Sequence, residues 1–327
     1  MPFHRALRKY IAGLVSKRFP SLIYFRADKA SRLGLSVDVQ TNWIDIVDKH
    51  GRRAVRISRS HSVYLADMID GFDYYFGSAE PIRINRKGTP FMVVDFSTPR
   101  FQRVVGFDDF PVLCPSLTEP FVTAEQYIDL AQLEPGDVVF DLGSYSGLTS
   151  IVFSKAVGPA GQVIALEPDP LNYSASQTNL ALHSRINKLD NVTLVNAAVS
   201  SSKGFMRFSS EGAMGSAAAS IVGDYRGDLN DVECLSLQDL VNTHHLSRVD
   251  FVKMDIEGSE TSVLEASEAF FREFHPRILV EPHRVDGAYS EHAIRQILEG
   301  YGYDCSTITG LRLRLVTGAP RALDFKG

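Results

Sequence analysis

The run Val138-Val139-Phe140-Asp141-Leu142-Gly143-Ser144-Tyr145-Ser146-Gly147 holds residues suited to chemistry beside a bound small molecule. Apolar and β-branched residues end in an acid, and two glycines follow four apart. The pattern D-x-G-x-x-x-G then meets a helical stretch, Leu148 to Val157, closed by Gly158-Pro159. Strand, glycine turn and helix in that order form the entrance unit of a doubly wound α/β sheet. A dinucleotide site of this kind carries G-x-G-x-x-G and seats a pyrophosphate over the helix N-terminus. Asp141 would repel that pyrophosphate and would attract or orient an ammonium or sulfonium. Gly143 and Gly147 would let the backbone approach the ligand with no Cβ in the way. A cationic, phosphate-free nucleoside fits, and S-adenosylmethionine is the common one. The plain alternative is a structural turn with an incidental Asp.

A second short apolar run, Gln162-Val163-Ile164-Ala165-Leu166, ends in Glu167, at the spacing expected of a ribose-binding carboxylate. Glu167 would accept hydrogen bonds from both ribose hydroxyls. Pro168-Asp169-Pro170 then starts a helix running roughly to His183. The third strand, Val192 to Asn196, ends in Ala197-Ala198. There Asn196 and the Ala197 backbone read an adenine edge, or Asn196 simply closes a turn. Both readings stand at this point.

Three motifs together resemble the successive signatures of FkbM-family methyltransferases. They are Asp141-Leu142-Gly143-Ser144-Tyr145-Ser146-Gly147, Glu167-Pro168-Asp169-Pro170 and Lys253-Met254-Asp255-Ile256-Glu257-Gly258-Ser259-Glu260. The third is the most distinctive, because that family carries K-x-D-x-E-G-x-E after its fourth strand. The resemblance covers roughly Glu119 to Asp304. It implies a class I Rossmann-like methyltransferase that uses S-adenosylmethionine, usually on a hydroxyl oxygen of a sugar, glycolipid or natural-product scaffold. It also implies that Glu119, of the pair Glu119-Pro120, lies beside the methionine end of the cofactor. The cofactor set it points to is Glu119, Asp141, Gly143, Ser144, Tyr145, Ser146, Gly147, Glu167, Pro168, Asn196, Ala197 and Asp255.

Ligands of open α/β sheets bind at the C-terminal strand edges, so the chemistry belongs where strands four and five end. Strand four, Phe251 to Asp255, leads into Glu257 and Glu260; strand five, Arg277 to Glu281, leads into Pro282-His283. Methyl transfer from a sulfonium is an in-line displacement, and the acceptor hydroxyl must lose its proton as the C–O bond forms. An imidazole oriented by a carboxylate suits that task. His283 is the first choice of base, followed by Glu281 or Asp255, with Glu257 also in the cluster. Glu281 and His283, two apart on an extended backbone, would share a face. With Asp255 they would alternatively bind a divalent metal that polarises the hydroxyl; the metal-free base is preferred. The plain readings are Glu260 as a helix N-terminal charge, Lys253 as a neutraliser of buried acids and His283 as a strand cap.

The surrounding chain must position these residues. Its 327 residues suggest about two domains, with an N-terminal helix and β-rich accessory domain over 1–118 and the methyltransferase domain over 119–327. Trp43–Val47 with Ala54–Ile57, and Ile82–Ile84 with Phe91–Val94, read as hairpins. Between them, the aromatics of Ile69–Phe76 line a sugar-stacking cleft or, more plainly, a core. A helix near Ala124–Leu133 precedes the first Rossmann strand. The segment Gly204–Glu233 reads as a β-containing insertion whose small residues Gly212–Ser220 form a substrate lid or a bland surface loop. Tyr303–Ile308 and Leu311–Val316 form the last hairpin. The expected fold is therefore a mostly parallel seven-stranded sheet with an antiparallel C-terminal hairpin, plus the smaller β-rich domain.

A net charge of −5 argues against nucleic acid as a partner. Three sparse cysteines, Cys114, Cys234 and Cys305, lack metal spacing and suit a reducing compartment. With no signal-peptide pattern and no membrane-length apolar run, the expected location is cytoplasmic. Phe3, Leu7, Ile11, Leu14 and Val15 fall at helical spacing among basic residues, so residues 1–20 pack on protein or touch the inner face of an anionic membrane. The expected partner is a small-molecule or glycan hydroxyl acceptor. The competing functions are an NAD(P)-dependent dehydrogenase, which Asp141 and the missing G-x-G-x-x-G disfavour, and a non-catalytic cofactor-binding or membrane-associated scaffold.

Overall fold

The computed structural model describes residues 29–48, 50, 52–86, 88–118, 121–222, 228–285, 288–309 and 314–321. The basic N-terminal stretch and Glu119-Pro120 lie outside the described residues. The chain divides into two compact units. The first reaches Val122 and takes in Glu211–Met214; the second begins at Thr123. Among the described residues no helix is long and apolar enough to cross a membrane.

In the first unit, β1 (Leu35–Val39), β2 (Trp43–Asp48) and β3 (Arg53–Ser58) form an antiparallel meander. β4 (Ile82–Arg86) and β5 (Thr89–Phe96) form a hairpin that joins β3 in parallel, for the order β1-β2-β3-β5-β4. Alternation along the strands places Ile44, Ile46, Val55, Ile57, Val94 and Phe96 in one core with residues of α1 (Leu65–Asp70) and α2 (Phe72–Phe76). Full burial of each large aliphatic or aromatic side chain is worth about 1.5–3 kcal/mol. Phe72 and Tyr75 belong to this core, so the aromatic cluster takes its plain reading and sits on two short helices. Asp45, also buried, faces Arg56 across the β2–β3 register at 2.7 and 3.1 Å. The Arg56 guanidinium lies 4.6 Å from the Trp43 ring centroid.

The second unit takes α3 (Phe121–Ala131) from Thr123 onward, then β6 (Val138–Leu142), α4 (Leu148–Val157), β7 (Gln162–Leu166), α5 (Pro170–Asn187) and β8 (Val192–Val195). An insertion follows, built on β9 (Gly204–Ser210) and β10 (Asp228–Leu235) paired antiparallel. Then come α6 (Leu237–Thr243), β11 (Phe251–Met254), α7 (Glu260–Glu265), α8 (Glu268–Phe274), β12 (Arg277–Val280), α9 (Glu291–Gly300), β13 (Tyr303–Thr309) and β14 (Arg314–Pro320). Seven of these strands form one sheet in the order β8-β7-β6-β11-β12-β14-β13. The first five are parallel, and β14 runs antiparallel to both of its neighbours, β12 and β13.

Strands buried on both faces explain the near-continuous apolar runs. Phe140 faces one layer, stacked on Phe270 at 5.9 Å between centroids. Phe251 meets Phe153 edge-on at 5.6 Å in the other layer. The chain runs outward from β6 through β7 to β8, then returns to β11 on the opposite side of β6. That is a topological switch point, where a crevice opens at the carboxyl ends of the strands. Register keeps those ends level: Met254 stands opposite both Leu142 and Val280.

Candidate functional site

The first strand end is built around a buried ion pair. Asp141 and Lys253 face each other directly in the β6–β11 register, with Nζ 3.3 Å from Oδ1. Asp141 is completely buried, and Ser150 of α4 donates to its Oδ2 at 2.5 Å. Lys253 also donates to the Gly143 carbonyl at 2.6 Å and lies 5.7 Å from the Tyr127 ring centroid. The expectation that Asp141 faces the ligand is therefore corrected. Its carboxylate acts through Lys253 and Ser150, which brace the glycine turn from beneath. Lys253 takes the expected part of neutralising buried acids.

The glycines also do something other than expected. A Cβ on Gly143, at φ +84°, would lie 1.9 Å from the Asp255 carbonyl oxygen. On Gly147, at φ +78°, it would lie 2.5 Å from Ser176 Oγ. At both glycines the missing Cβ makes room for neighbouring protein. Within the turn Tyr145 takes φ +50°, uncommon for a residue with a side chain. That conformation sends its N–H to Glu167 Oε2 at 2.8 Å. The Ser146 carbonyl accepts from Asn179 at 2.8 Å, and Ser144 Oγ is buried with no hydrogen-bond partner among the described residues.

Glu167 ends β7 with almost no exposure. Its Oε1 accepts from the Asp169 N–H at 2.9 Å and from Asn172 at 3.4 Å, while Oε2 accepts from Tyr145. Burial pushes its carboxyl up to about 8, the Asp169 charge adds to that, and the N–H donors pull the other way. Oε2 retains acceptor capacity for a hydroxyl. Asn196 ties the end of β8 to the end of β7: its Nδ2 donates to the Glu167 carbonyl at 2.8 Å and approaches that of Pro168 at 3.5 Å. The Ala197 side chain is part of the core. The insertion is tied to this edge as well. Ser216 Oγ donates at 2.6 Å to Asp169, the N-cap of α5, and Ser216 to Ala218 are buried. Ser216 to Ala218 are thus packed into the protein and not on its surface.

The second strand end gathers acids around one imidazole. Glu260, the first residue of α7, is completely buried and accepts from His283 Nδ1 at 2.8 Å. The same Oε1 accepts the N–H groups of Gly258 at 3.0 Å and Ile256 at 3.3 Å. With Nδ1 so held, His283 Nε2 lies 3.6 Å from both Asp255 Oδ1 and Glu257 Oε1. Donor atoms of Asp255, Glu257 and His283 all fall within 4.8 Å of one another. Burial alone would depress the imidazole, but Glu257, Glu260 and Asp255 outweigh it and hold its pKa well above the ordinary value.

Two expectations about this cluster are corrected. Glu281 accepts from the Tyr127 hydroxyl at 3.1 Å, and the partner that orients His283 is Glu260. The metal-compatible trio contains Glu257 in place of Glu281. The shared-face argument failed because β12 ends at Val280, so Glu281-Pro282-His283 is not extended strand. Glu260 was readable as a helix N-terminal charge; its larger role depends on the turn through Glu257 at φ +54° and Gly258 at φ +103°. Tyr127, beneath both Lys253 and Glu281, carried no sequence signal.

Comparison with known proteins fits this geometry. The family model described as the methyltransferase FkbM domain matches residues 141–305, half of the chain. The 31-O-demethyl-FK506 methyltransferase FkbM of Streptomyces tacrolimicus is 26% identical over 201 residues, covering 53% of this chain and 74% of that protein. Methyltransferase sdnD of Sordaria araneosa is 25% identical over 205 residues, 54% of this chain and 77% of that protein. A crystal structure of methyltransferase FkbM from Methylobacillus flagellatus aligns with TM-score 0.44 and 17% identity, over 58% of this chain and 45% of that one. The chain belongs to the FkbM methyltransferase family.

Proposed function

We propose that the chain is an S-adenosylmethionine-dependent O-methyltransferase acting on a hydroxyl of a sugar, a glycolipid or a natural-product scaffold. The observation that carries the proposal is His283, with Nδ1 held by Glu260 and Nε2 facing Asp255 and Glu257. It follows β12, three strands across the sheet from β7, which leads into the buried carboxylate of Glu167. The residues present fit the cofactor. Glu167 Oε2 has capacity for a ribose hydroxyl, and Ser144 Oγ is a buried hydroxyl without a partner among the described residues. The N–H groups and carbonyls of the turn from Gly143 to Gly147 supply the remaining polar surface.

When bound, S-adenosylmethionine supplies an electrophilic methyl on a sulfonium that departs as a neutral thioether. The chain contributes alignment, exclusion of water and a destination for the proton. During transfer the cluster of His283, Asp255 and Glu257 would take up the proton that the acceptor hydroxyl loses to form the ether. The raised proton affinity of His283, with two carboxylates 3.6 Å from its Nε2, makes this cluster the destination of that proton. The Streptomyces relative is a 31-O-demethyl-FK506 methyltransferase by name, which supports oxygen here. A small-molecule or glycan acceptor in the cytoplasm is part of the same proposal.

The test is a methyl-transfer screen of the full chain against nucleotide sugars, glycolipids and polyketides. Mass spectrometry should find an acceptor gaining one methyl on oxygen. Transfer exclusively to nitrogen or carbon would overturn the oxygen assignment.

A further inference from the structure

We infer that Ser216 is a positioning residue for the cofactor, and that residues 216–221 are a strap tying the nucleoside-binding strand end to the methyl-transfer strand end. At one end of this segment Ser216 Oγ donates to Asp169 Oδ2 at 2.6 Å, just past β7. At the other, Ile221 sits in a single helical turn, Ala219–Val222, and lies against Gly258, just past β11. A Cβ on Gly258, at φ +103°, would lie 3.3 and 3.4 Å from Ile221 and 3.2 Å from Val285. The bare backbone between Glu257 and Glu260 thus lets Ile221 and Val285 close upon it.

Between the two anchored strand ends stands β6, which leads into the turn from Gly143 to Gly147. Neighbouring strands lie about 4.8 Å apart, so these ends are separated by about 10 Å. A chain of this length extends to about 17 Å at most, which covers the distance and leaves slack for the helical turn. The middle of the segment is fixed by backbone pairing. Ala217 and Ala218 stand opposite Ser209 and Phe208 of β9 in antiparallel register. Ser216, Ala217 and Ala218 are all buried, and their small side chains let the backbone pass close to the protein beneath.

Asp169 carries the effect of Ser216 to the cofactor. It is completely buried, and its Oδ1 accepts from the N–H groups of Leu171 at 2.8 Å and Asn172 at 3.3 Å. Its own N–H donates to Glu167 Oε1 at 2.9 Å. Ser216, Asp169 and Glu167 therefore form one hydrogen-bonded series from the insertion to the end of β7. A hydroxyl bonded to a carboxylate is among the stronger links of this kind. At the far end, Ile221 presses on the loop whose Ile256 and Gly258 N–H groups are held by Glu260. Anchored at both ends, the strap orders the cofactor edge and the proton-accepting edge together. The positioning role rests on the reading of Glu167 as the ribose carboxylate, whereas the strap itself rests on these contacts.

The experiment follows amide hydrogen exchange in the full chain by mass spectrometry, with and without the demethylated product of S-adenosylmethionine, and measures affinity for that product by calorimetry. Product binding should slow exchange across residues 215–222 by at least about 10-fold. Ser216→Ala, verified as folded by circular dichroism, should lose that protection. Because coupling is reciprocal, it should also bind the product about 10-fold more weakly. Ser216→Thr keeps the hydroxyl and should retain both the protection and the affinity. A purely structural Ser216 would instead give Ser216→Ala faster exchange to the same degree with and without product, and that result would overturn the positioning role. So would product that binds the unaltered chain and leaves exchange at 215–222 unchanged, or a folded Ser216→Ala with full affinity and protection. Each of those outcomes leaves the methyltransferase reading standing. Failure of the unaltered chain to bind product removes the ribose role of Glu167, and the positioning role with it.

Discussion

Oε1 of Glu260 lies 2.8 Å from Nδ1 of His283, joining a completely buried carboxylate to an imidazole that is one-fifth exposed. The same oxygen gathers the N–H groups of Ile256 and Gly258, so one carboxylate fixes both the loop and the ring. Glu260→Gln keeps the shape and removes the charge. Turnover should fall by about 10–100-fold, as for other orienting carboxylates, while affinity for S-adenosylmethionine stays unchanged. Paired steady-state kinetics and calorimetry check this, and a loss confined to cofactor affinity would contradict it.

His283→Ala should lower turnover by roughly 10²–10⁴, the usual contribution of a group that handles the reacting proton. Cofactor affinity should barely change, because Glu167 and the Gly143–Gly147 turn lie on other strand ends. A folded variant retaining full turnover would exclude His283 from the chemistry and make Asp255 or Glu257 the primary group.

Glu167 links cofactor binding to pH. Its carboxyl is pushed up to about 8 from an ordinary 4.5, mainly by burial. Its ionised form is therefore disfavoured in the folded chain, and the stability contribution of the neutral form is lost as pH rises from 4.5 toward about 8. Ribose hydroxyls donate to the ionised form and favour it. Cofactor affinity should accordingly rise with pH up to about 8 and level off above. Calorimetry across that value should show the slope in the unaltered chain and none in Glu167→Gln. Glu167→Ala should cost about 1–3 kcal/mol of binding by leaving hydroxyls unpaired. An affinity that falls as pH rises would contradict the assignment.

Lys253→Met should destabilise the fold by about 3–5 kcal/mol, because it leaves Asp141 charged, completely buried and without its cation. Adding Asp141→Asn should recover part of the loss, since a neutral amide is cheaper to bury than an unpaired carboxylate. Chemical denaturation of both variants checks the order. A single variant as stable as the unaltered chain would show that the pair does not brace the turn.

The parallel strands were legible because each is a short apolar run, and four of the five carry an acid at or just past their end, β8 leading to Asn196 instead. β6, β7 and β11 begin at Val138, Gln162 and Phe251, where that pattern places them. The hairpins around Trp43–Ile57 and Ile82–Val94 were legible from alternation broken by turn residues. β1 was not, nor were α1 and α2, whose identity comes from what they bury rather than from local preference. In the site, residue types were readable and pairings were not. Asp141 opposite Lys253 is a fact of register, and a one-residue slip would place them on opposite faces. Gly143 is required by the Asp255 carbonyl, a contact more than a hundred residues away in the chain. The order Glu260–His283 instead of Glu281–His283 depends on where β12 stops.

The most direct test of the central claim is calorimetry of the full chain with S-adenosylmethionine, its demethylated product, NADH and NADPH under identical conditions. One equivalent of S-adenosylmethionine or its product should bind, and both reduced nicotinamide cofactors should bind far more weakly. Preferential binding of NADH or NADPH, or no binding of S-adenosylmethionine and its product, would contradict the account.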